Sequence, residues 1–295
     1  MELFITGASG WIGAPTVAGL LAAGHTLRGL ARSDEAAAKV QAAGAQAVRG
    51  DLRDLDLLRE AAAASDGVIH LAFRHDVAFT GDFAAAAASD RAAIEVVGDA
   101  LAGTDKPLLV ASGTLGVAPG RLGTERDLPE PGANPRLGTA TLTRALADRG
   151  VRSVVVRLPP TVHGAGDGGF IAALVDIART TGVSGYLGDG ANRWPAVHVS
   201  DAADLLVLAV ERAPAGSVLH ATAEDGIATR DIAVAIGRRL DVPARRVEEP
   251  GHFGFLAGLF GLDAPVSNDL TRSLLGWQPT GPGLIEELDA GIYTS

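Results

Sequence analysis

Residues Thr6-Gly7-Ala8-Ser9-Gly10-Trp11-Ile12-Gly13 decide the reading of this chain. They follow the apolar run Leu3-Thr6, which reads as a buried strand. They lead into a helix whose first turn tolerates Pro15 and which ends at Gly24. Glycines at 7, 10 and 13 permit a tight turn and close approach of the backbone to a phosphate. The N–H groups and dipole at the start of the next helix then favour its negative charge. Strand, glycine turn and helix in that order are the parts of a pyrophosphate cradle.

The alternation continues outward. Strands are expected at Thr26-Ala31, Ala45-Arg49, Val68-Ala72, Leu108-Ala111 and Ser153-Leu158. Helices are expected from Ser33-Asp34 to Gly44, at Asp54-Ala64, at Asp82-Ala102 and at Leu137-Arg149. The strands are apolar without alternation, as in a sheet covered on both faces, and helices separate them, as right-handed βαβ crossovers require. The expected class is α/β: a doubly wound parallel-sheet Rossmann fold with a small interleaved C-terminal substrate-binding part. Past Gly164 the pattern loosens into a helix at Phe170-Thr180, a strand near Ala196-Val199, a helix at Ala202-Arg212, a strand at Val218-Ala221 and a helix at Arg230-Leu240. The dinucleotide-binding core is therefore drawn at 1–164 with 194–221 returning to it. Residues 165–193 and 222–295 form the smaller lid part.

Composition narrows the function. The chain has 295 residues, enough to bury a sizeable core, and a net charge of −10, which argues against nucleic acid as a partner. Zero cysteines exclude disulfides, thiolate metal sites and a cysteine nucleophile. No apolar run reaches the roughly 18 residues of a membrane helix, and Met1-Gly7 has no basic residue, so a cytoplasmic location off the membrane is expected. No metal site is expected: His70 and His75 lack a helical ligand spacing and a clustered third ligand. Gly7-Ala8-Ser9-Gly10 is not a hydrolase elbow.

The glycine loop resembles the TGxxGxxG of extended and atypical short-chain dehydrogenase/reductases, and further fragments follow in that family's order. Gly50-Asp51-Leu52 resembles its adenine-contacting Asp-Leu pair, and Leu71-Ala72-Phe73 the segment beneath the cofactor. Arg157-Leu158-Pro159-Pro160-Thr161-Val162-His163-Gly164 looks like RPxxVYG with His163 at the tyrosine. Ala196-Val197-His198-Val199-Ser200-Asp201 and Leu275-Gly276-Trp277-Gln278-Pro279 are similar to its FxHVxD and LGWxP elements. The chain is thus identified as a member of the epimerase/dehydratase-like branch. The resemblance places Thr6, Gly7, Ser9, Gly10, Trp11, Ile12, Gly13, Asp51, Leu52, Leu71, Ala72, Phe73 and Pro159 along a nicotinamide dinucleotide. Leu30-Ala31-Arg32-Ser33 ends the second strand with arginine in place of the acid that binds a ribose 2′-OH. Arg32 and Ser33 therefore point to NADP(H), with NADPH preferred and NAD not excluded.

The resemblance fails where the chemistry should be. The family's Tyr-x-x-x-Lys is absent: Tyr186 is followed by Gly190 four residues on, Tyr293 is two residues from the end, and the lysines Lys39 and Lys106 follow no tyrosine. Counting back from Arg149-Gly150 puts the family lysine at Arg136 and its tyrosine near Gly132, or the lysine at Arg144 if the helix slips. The segment resembles an atypical subgroup with His-x-x-x-Arg, here without the histidine. Arginine stays protonated and is a poor proton donor. Val110-Ala111-Ser112-Gly113-Thr114-Leu115-Gly116 is similar to the segment carrying the family's catalytic hydroxyl, with Ser112 and Thr114 as candidates. His75 and His163 are left as proton donors, because histidine titrates near neutrality. Arg193, Trp194 and His198 are expected at the substrate, and the apolar stretch His252 to Phe260 at a lid, a pocket wall or a subunit contact.

These readings favour an NADP(H)-dependent oxidoreductase of a small, fairly apolar carbonyl or alcohol. A non-catalytic NADP(H) sensor is the alternative, since the missing pair suits it equally. An epimerase or dehydratase with tightly held cofactor is a third. A homodimer is left open.

Overall fold

The computed structural model describes residues 1–78, 81–128 and 135–294. The first half runs β1 (Glu2–Thr6), α1 (Gly13–Ala22), β2 (Thr26–Ala31), α2 (Asp34–Ala42), β3 (Gln46–Arg49), α3 (Leu55–Ala63), β4 (Gly67–His70) and the single turn α4 (His75–Ala78). It continues through α5 (Phe83–Leu101), β5 (Pro107–Gly113), α6 (Pro135–Ala145) and β6 (Arg152–Leu158). The second half holds β7 (Thr161–His163), α7 (Phe170–Thr181), β8 (Ser184–Tyr186), β9 (Arg193–His198), α8 (Val199–Arg212) and β10 (Ser217–His220). β11 (Glu224–Ala228), α9 (Thr229–Leu240), β12 (Ala244–Arg246), α10 (Asp269–Leu275) and α11 (Leu284–Ala290) complete it.

Among the described residues the central sheet has seven strands in the order β10-β6-β5-β4-β1-β2-β3, and its neighbouring strands pair in parallel. Alternation along each strand divides its apolar residues between two layers. Leu3 and Ile5 point to the face where Val17 and Leu20 of α1 meet Leu205, Leu206 and Ala209 of α8. Phe4 points to the other face, with Leu58 of α3 and Ile94, Val97 and Leu101 of α5. Burying both faces explains strands that read as continuous apolar runs. The strand order reverses between β1 and β4, and a crevice opens there at the carboxyl ends, where open α/β sheets bind ligands.

Pro159-Pro160 takes the chain off the central sheet after β6, since proline cannot donate to a ladder. The strand expected at 196–199 lies at Arg193–His198 and does not join that sheet. It is the middle of a three-stranded sheet, parallel to β7 and antiparallel to β11. Pro195 lacks a donor, and opposite it β11 bulges between Glu224 and Ile227, where the register shifts. Within the expected returning stretch 194–221, α8 and β10 pack onto the central sheet, and Val197 of β9 joins the same buried layer. Trp194 and Ala196 belong to a second core with Ile171 and Leu174 of α7, Ile232 and Ile236 of α9, Phe253, Phe260 and Leu284. Among the described residues no helix is long and apolar enough to cross a membrane.

Candidate active site

A cleft of about 740 Å³ follows the carboxyl ends of β1, β2, β4, β5 and β6. Gly7, Ser9, Gly10, Trp11, Ile12 and Gly13 form its floor at the switch point. Gly7 has φ +76°, and a Cβ there would stand 2.9 Å from the backbone nitrogen of Ala72. A Cβ on Gly13 would stand 1.9 Å from the carbonyl oxygen of Gly7. Both positions admit only glycine, and the loop stays open to backbone approach. No side chain caps the start of α1 and no acid lies in its first turn, so its N–H groups suit a pyrophosphate. Thr6 does not line the cleft. Its hydroxyl accepts the Ala72 N–H at 3.2 Å and meets His70 Nδ1 at 3.0 Å, holding the two strand ends together.

At the far end Asp51, Leu52, Leu30 and Ala36 line the cleft with two guanidiniums, Arg32 and Arg74. Arg32 pairs with Asp76 at 3.1 Å, and Arg74 lies 3.8 Å from the same carboxylate. Among the described residues no carboxylate of β2 or α2 lines the cleft. Ser33 does not line it: its side chain caps α2 by accepting the Ala36 N–H at 3.1 Å.

At the other end Ser112, Thr114, His75 and Arg136 converge, and Leu71, Ala72, Phe73 and Pro159 line the same cleft. Ser112 is the penultimate residue of β5 and Thr114 follows the strand, and each residue is at most 2% exposed. Among the described residues neither hydroxyl has a hydrogen-bond partner, so each is available to a substrate oxygen. The Arg136 guanidinium lies 4.0 Å over the Phe73 ring. Burial pulls its pKa below the ordinary arginine value, and the charge of Asp90 opposes that shift. His75 stands edge-on to Phe73 at 5.2 Å. Burial first, and the Arg136 charge second, push the His75 pKa below its ordinary value. A dinucleotide fits this frame, with the cradle for its pyrophosphate and the two ends for its bases.

The model of the NAD dependent epimerase/dehydratase family matches residues 3–221. The chain belongs to this family. It is an NAD(P)-dependent oxidoreductase of the short-chain dehydrogenase/reductase type. An uncharacterized protein of Schizosaccharomyces pombe is 47% identical, over 99% of this chain and 100% of that protein. A 4-hydroxy-2-methyl-3-oxo-4-farnesyl-3,4-dihydroquinoline-1-oxide ketoreductase of Stigmatella aurantiaca is 32% identical, over 75% of this chain and 68% of that one. Among solved structures, the dTDP-glucose 4,6-dehydratase DesIV of Streptomyces venezuelae, with NAD and TYD bound, shares the fold. The TM-score is 0.79 at 21% identity, covering 99% of this chain and 96% of that one.

Several sequence candidates lie outside the cleft of this epimerase/dehydratase-family chain. His163 is fully buried, with Nδ1 bonded to Glu287 Oε2 at 2.5 Å, because β7 turns it into the small sheet and under α11. It packs the small sheet and does not line the cleft, so it is not placed to donate a proton there. His198 belongs to the same knot, 3.5 Å from Glu287 and 2.7 Å from the Ser200 hydroxyl. Arg193 is fixed by Asp263 at 2.9 Å, and Trp194 is fully buried in the second core, so neither lines the cleft. Arg144 does not line the cleft either, whereas Arg136 does. Gly132, the counted place of the family tyrosine, lies outside the described residues. The structure adds Arg74, Phe83 and Asp167 to the cleft, and Phe170 and Leu259 line it too. Arg74 lies two residues past the expected strand, next to Leu71-Ala72-Phe73, and is legible in principle. Leu259 belongs to the apolar stretch expected at a lid or pocket wall, whereas Asp167 arrives from a loop with no periodic signal.

Proposed function

We propose that this protein is an NADPH-dependent carbonyl reductase whose active site replaces the family's tyrosine and lysine with Ser112, Thr114, Arg136 and His75. The observation that carries the reading is the pair of buried, unpartnered hydroxyls of Ser112 and Thr114 in the cleft that also holds the glycine cradle. When bound, NADPH supplies a hydride to the carbonyl carbon. The chain's own part is to orient and stabilise. Ser112 and Thr114 donate hydrogen bonds to the carbonyl oxygen, and the positive guanidinium of Arg136 favours the negative charge that develops on it. An imidazole N–H of His75 delivers the proton that completes the alcohol. Buried hydroxyls left without partners are destabilising by about 1–3 kcal/mol each, and a substrate oxygen relieves that.

Arg32 and Arg74 support NADPH over NADH, since two guanidiniums suit a 2′-phosphate and no carboxylate of β2 or α2 competes for a ribose hydroxyl among the described lining residues. The relative named as a ketoreductase supports carbonyl reduction. The test is NADPH oxidation at 340 nm with a panel of aldehydes and ketones. Turnover that falls about 10²-fold or more in Ser112→Ala/Thr114→Ala is expected. Tight NADPH binding with no oxidation across the panel would make the protein a binder instead.

A further inference from the structure

The cleft has a second polar group that carbonyl reduction does not use. Asp167 lies in the turn between β7 and α7 and lines the same cleft as Ser112 and Phe170. Both of its oxygens are held. Oδ1 accepts the Gly169 N–H at 2.6 Å, and Oδ2 accepts the Tyr293 hydroxyl at 2.9 Å. The carbonyl oxygen of Tyr293 in turn accepts from Arg179 Nη2 at 3.3 Å, which ties the C-terminal turn to α7. A Cβ on Gly169 would stand 2.9 Å from Asp167 Oδ1, so glycine allows this clamp. Each carboxylate oxygen accepts two hydrogen bonds, and one direction on each remains. Burial pushes the Asp167 pKa up, while the Gly169 and Tyr293 donors oppose that shift by favouring the ionised acceptor. Asp51 is the other carboxylate among the described lining residues, and Arg53 engages it at 2.8 Å. The neighbouring lining residues Pro160, Val162, Phe170 and Leu259 are apolar.

We propose that Asp167 recognises the substrate by accepting a hydrogen bond from a hydroxyl or ammonium group on it, with Tyr293 as the positioning residue. The substrate is then a carbonyl compound with an apolar body and a separate hydrogen-bond donor, which rests on the carbonyl-reduction reading above. A purely apolar substrate closing over this carboxylate removes its water and offers nothing in return. A site built to bond a donor rejects the analogue lacking it by far more than an apolar pocket discriminates a methylene.

Matched aryl ketones test this: a parent ketone, its hydroxyl-bearing counterpart and its amino counterpart, with the added group placed at increasing distance from the carbonyl. In the native enzyme, kcat/KM with NADPH is expected to be at least about tenfold higher for a donor-bearing member of one set. In Asp167→Ala that ratio is expected to collapse to within about threefold of one, with NADPH affinity as the folding check. Asp167→Asn keeps an acceptor oxygen and loses the charge, so it retains part of a hydroxyl preference and abolishes an ammonium preference. Tyr293→Phe raises KM for the donor-bearing ketone more than it lowers kcat. No preference in the native enzyme, or a preference that survives in Asp167→Ala, overturns the proposal. If no ketone is turned over, carbonyl reduction fails, and tryptophan fluorescence with the hydroxyl-bearing and parent alcohols decides this proposal separately. Tighter binding of the hydroxyl-bearing alcohol that is lost in Asp167→Ala supports it, and equal affinities overturn it.

Discussion

His75 and His163 begin from the same position in sequence logic: each follows a strand near the carboxyl edge of a parallel sheet. The structure separates them completely. After β4 the chain enters the single turn α4 at the rim of the cleft, so His75 stands with Phe73 and Arg136 along its lining. After β6 the double proline leads into β7, which pairs with β9 and delivers His163 to a sealed contact with Glu287. A strand end marks a site only when the next segment stays at the edge. When that segment starts another sheet, the same residue type becomes part of a core.

The comparison breaks most easily at the cradle beside His75. Gly13→Ala drives a Cβ into the Gly7 carbonyl, so the loop must rearrange. NADPH Kd, followed by fluorescence titration, is expected to rise by about 100-fold or more, the loss of two or more charge-assisted bonds. His75→Ala is expected to lower kcat/KM for ketone reduction by about 10²-fold with NADPH Kd unchanged, the lower end of general acid catalysis. The pH dependence sharpens this. Burial and Arg136 hold the His75 pKa below its ordinary value, so its protonated form is gained only as pH falls. Reduction by the native enzyme should therefore quicken from about pH 8 towards about pH 5, and His75→Ala should lose that slope.

His163→Ala tests the other half. It removes the imidazole bonded to Oε2 of Glu287, itself only 7% exposed, and leaves His198 at 3.5 Å as the remaining imidazole neighbour. Breaking a buried pair of this kind costs about 3 kcal/mol. Urea unfolding should show that loss while kcat/KM stays within about threefold. A loss of activity at full stability would return His163 to the reaction. The smallest effect is expected at Arg32, which is exposed and shares Asp76 with Arg74. Arg32→Ala should reduce the NADPH-over-NADH ratio of kcat/KM by about tenfold, equivalent to one charge-assisted bond.

How much of this was legible follows from where local pattern determines position. The six strands β1 to β6 were readable because a sheet buried on both faces imposes apolar runs, and glycine loops and capping residues such as Ser33 mark the helix boundaries. The phosphate cradle was readable for the same reason: Gly7 and Gly13 are there because no Cβ fits. β7, β8 and β12 have three residues each, too few to show a period, and they hid the second core. The places of Ser112, Thr114 and His75 beside strand ends were enough to put them along the cleft. Arg193, Trp194 and His198 misled because their surroundings come from distant partners, Asp263, Phe260 and Glu287, that no local signal announces. Asp167 was missed because its role depends on Tyr293, 126 residues away in the chain.

The most direct measurement is transfer of label from NADPH deuterated at nicotinamide C4 to a ketone, read by mass spectrometry of the alcohol. The native enzyme should deposit deuterium at the carbinol carbon, and Ser112→Ala/Thr114→Ala should deposit it at least about 10²-fold more slowly. A protein that binds NADPH tightly yet transfers no deuterium to any ketone in the panel would contradict a reductase built without the tyrosine–lysine pair.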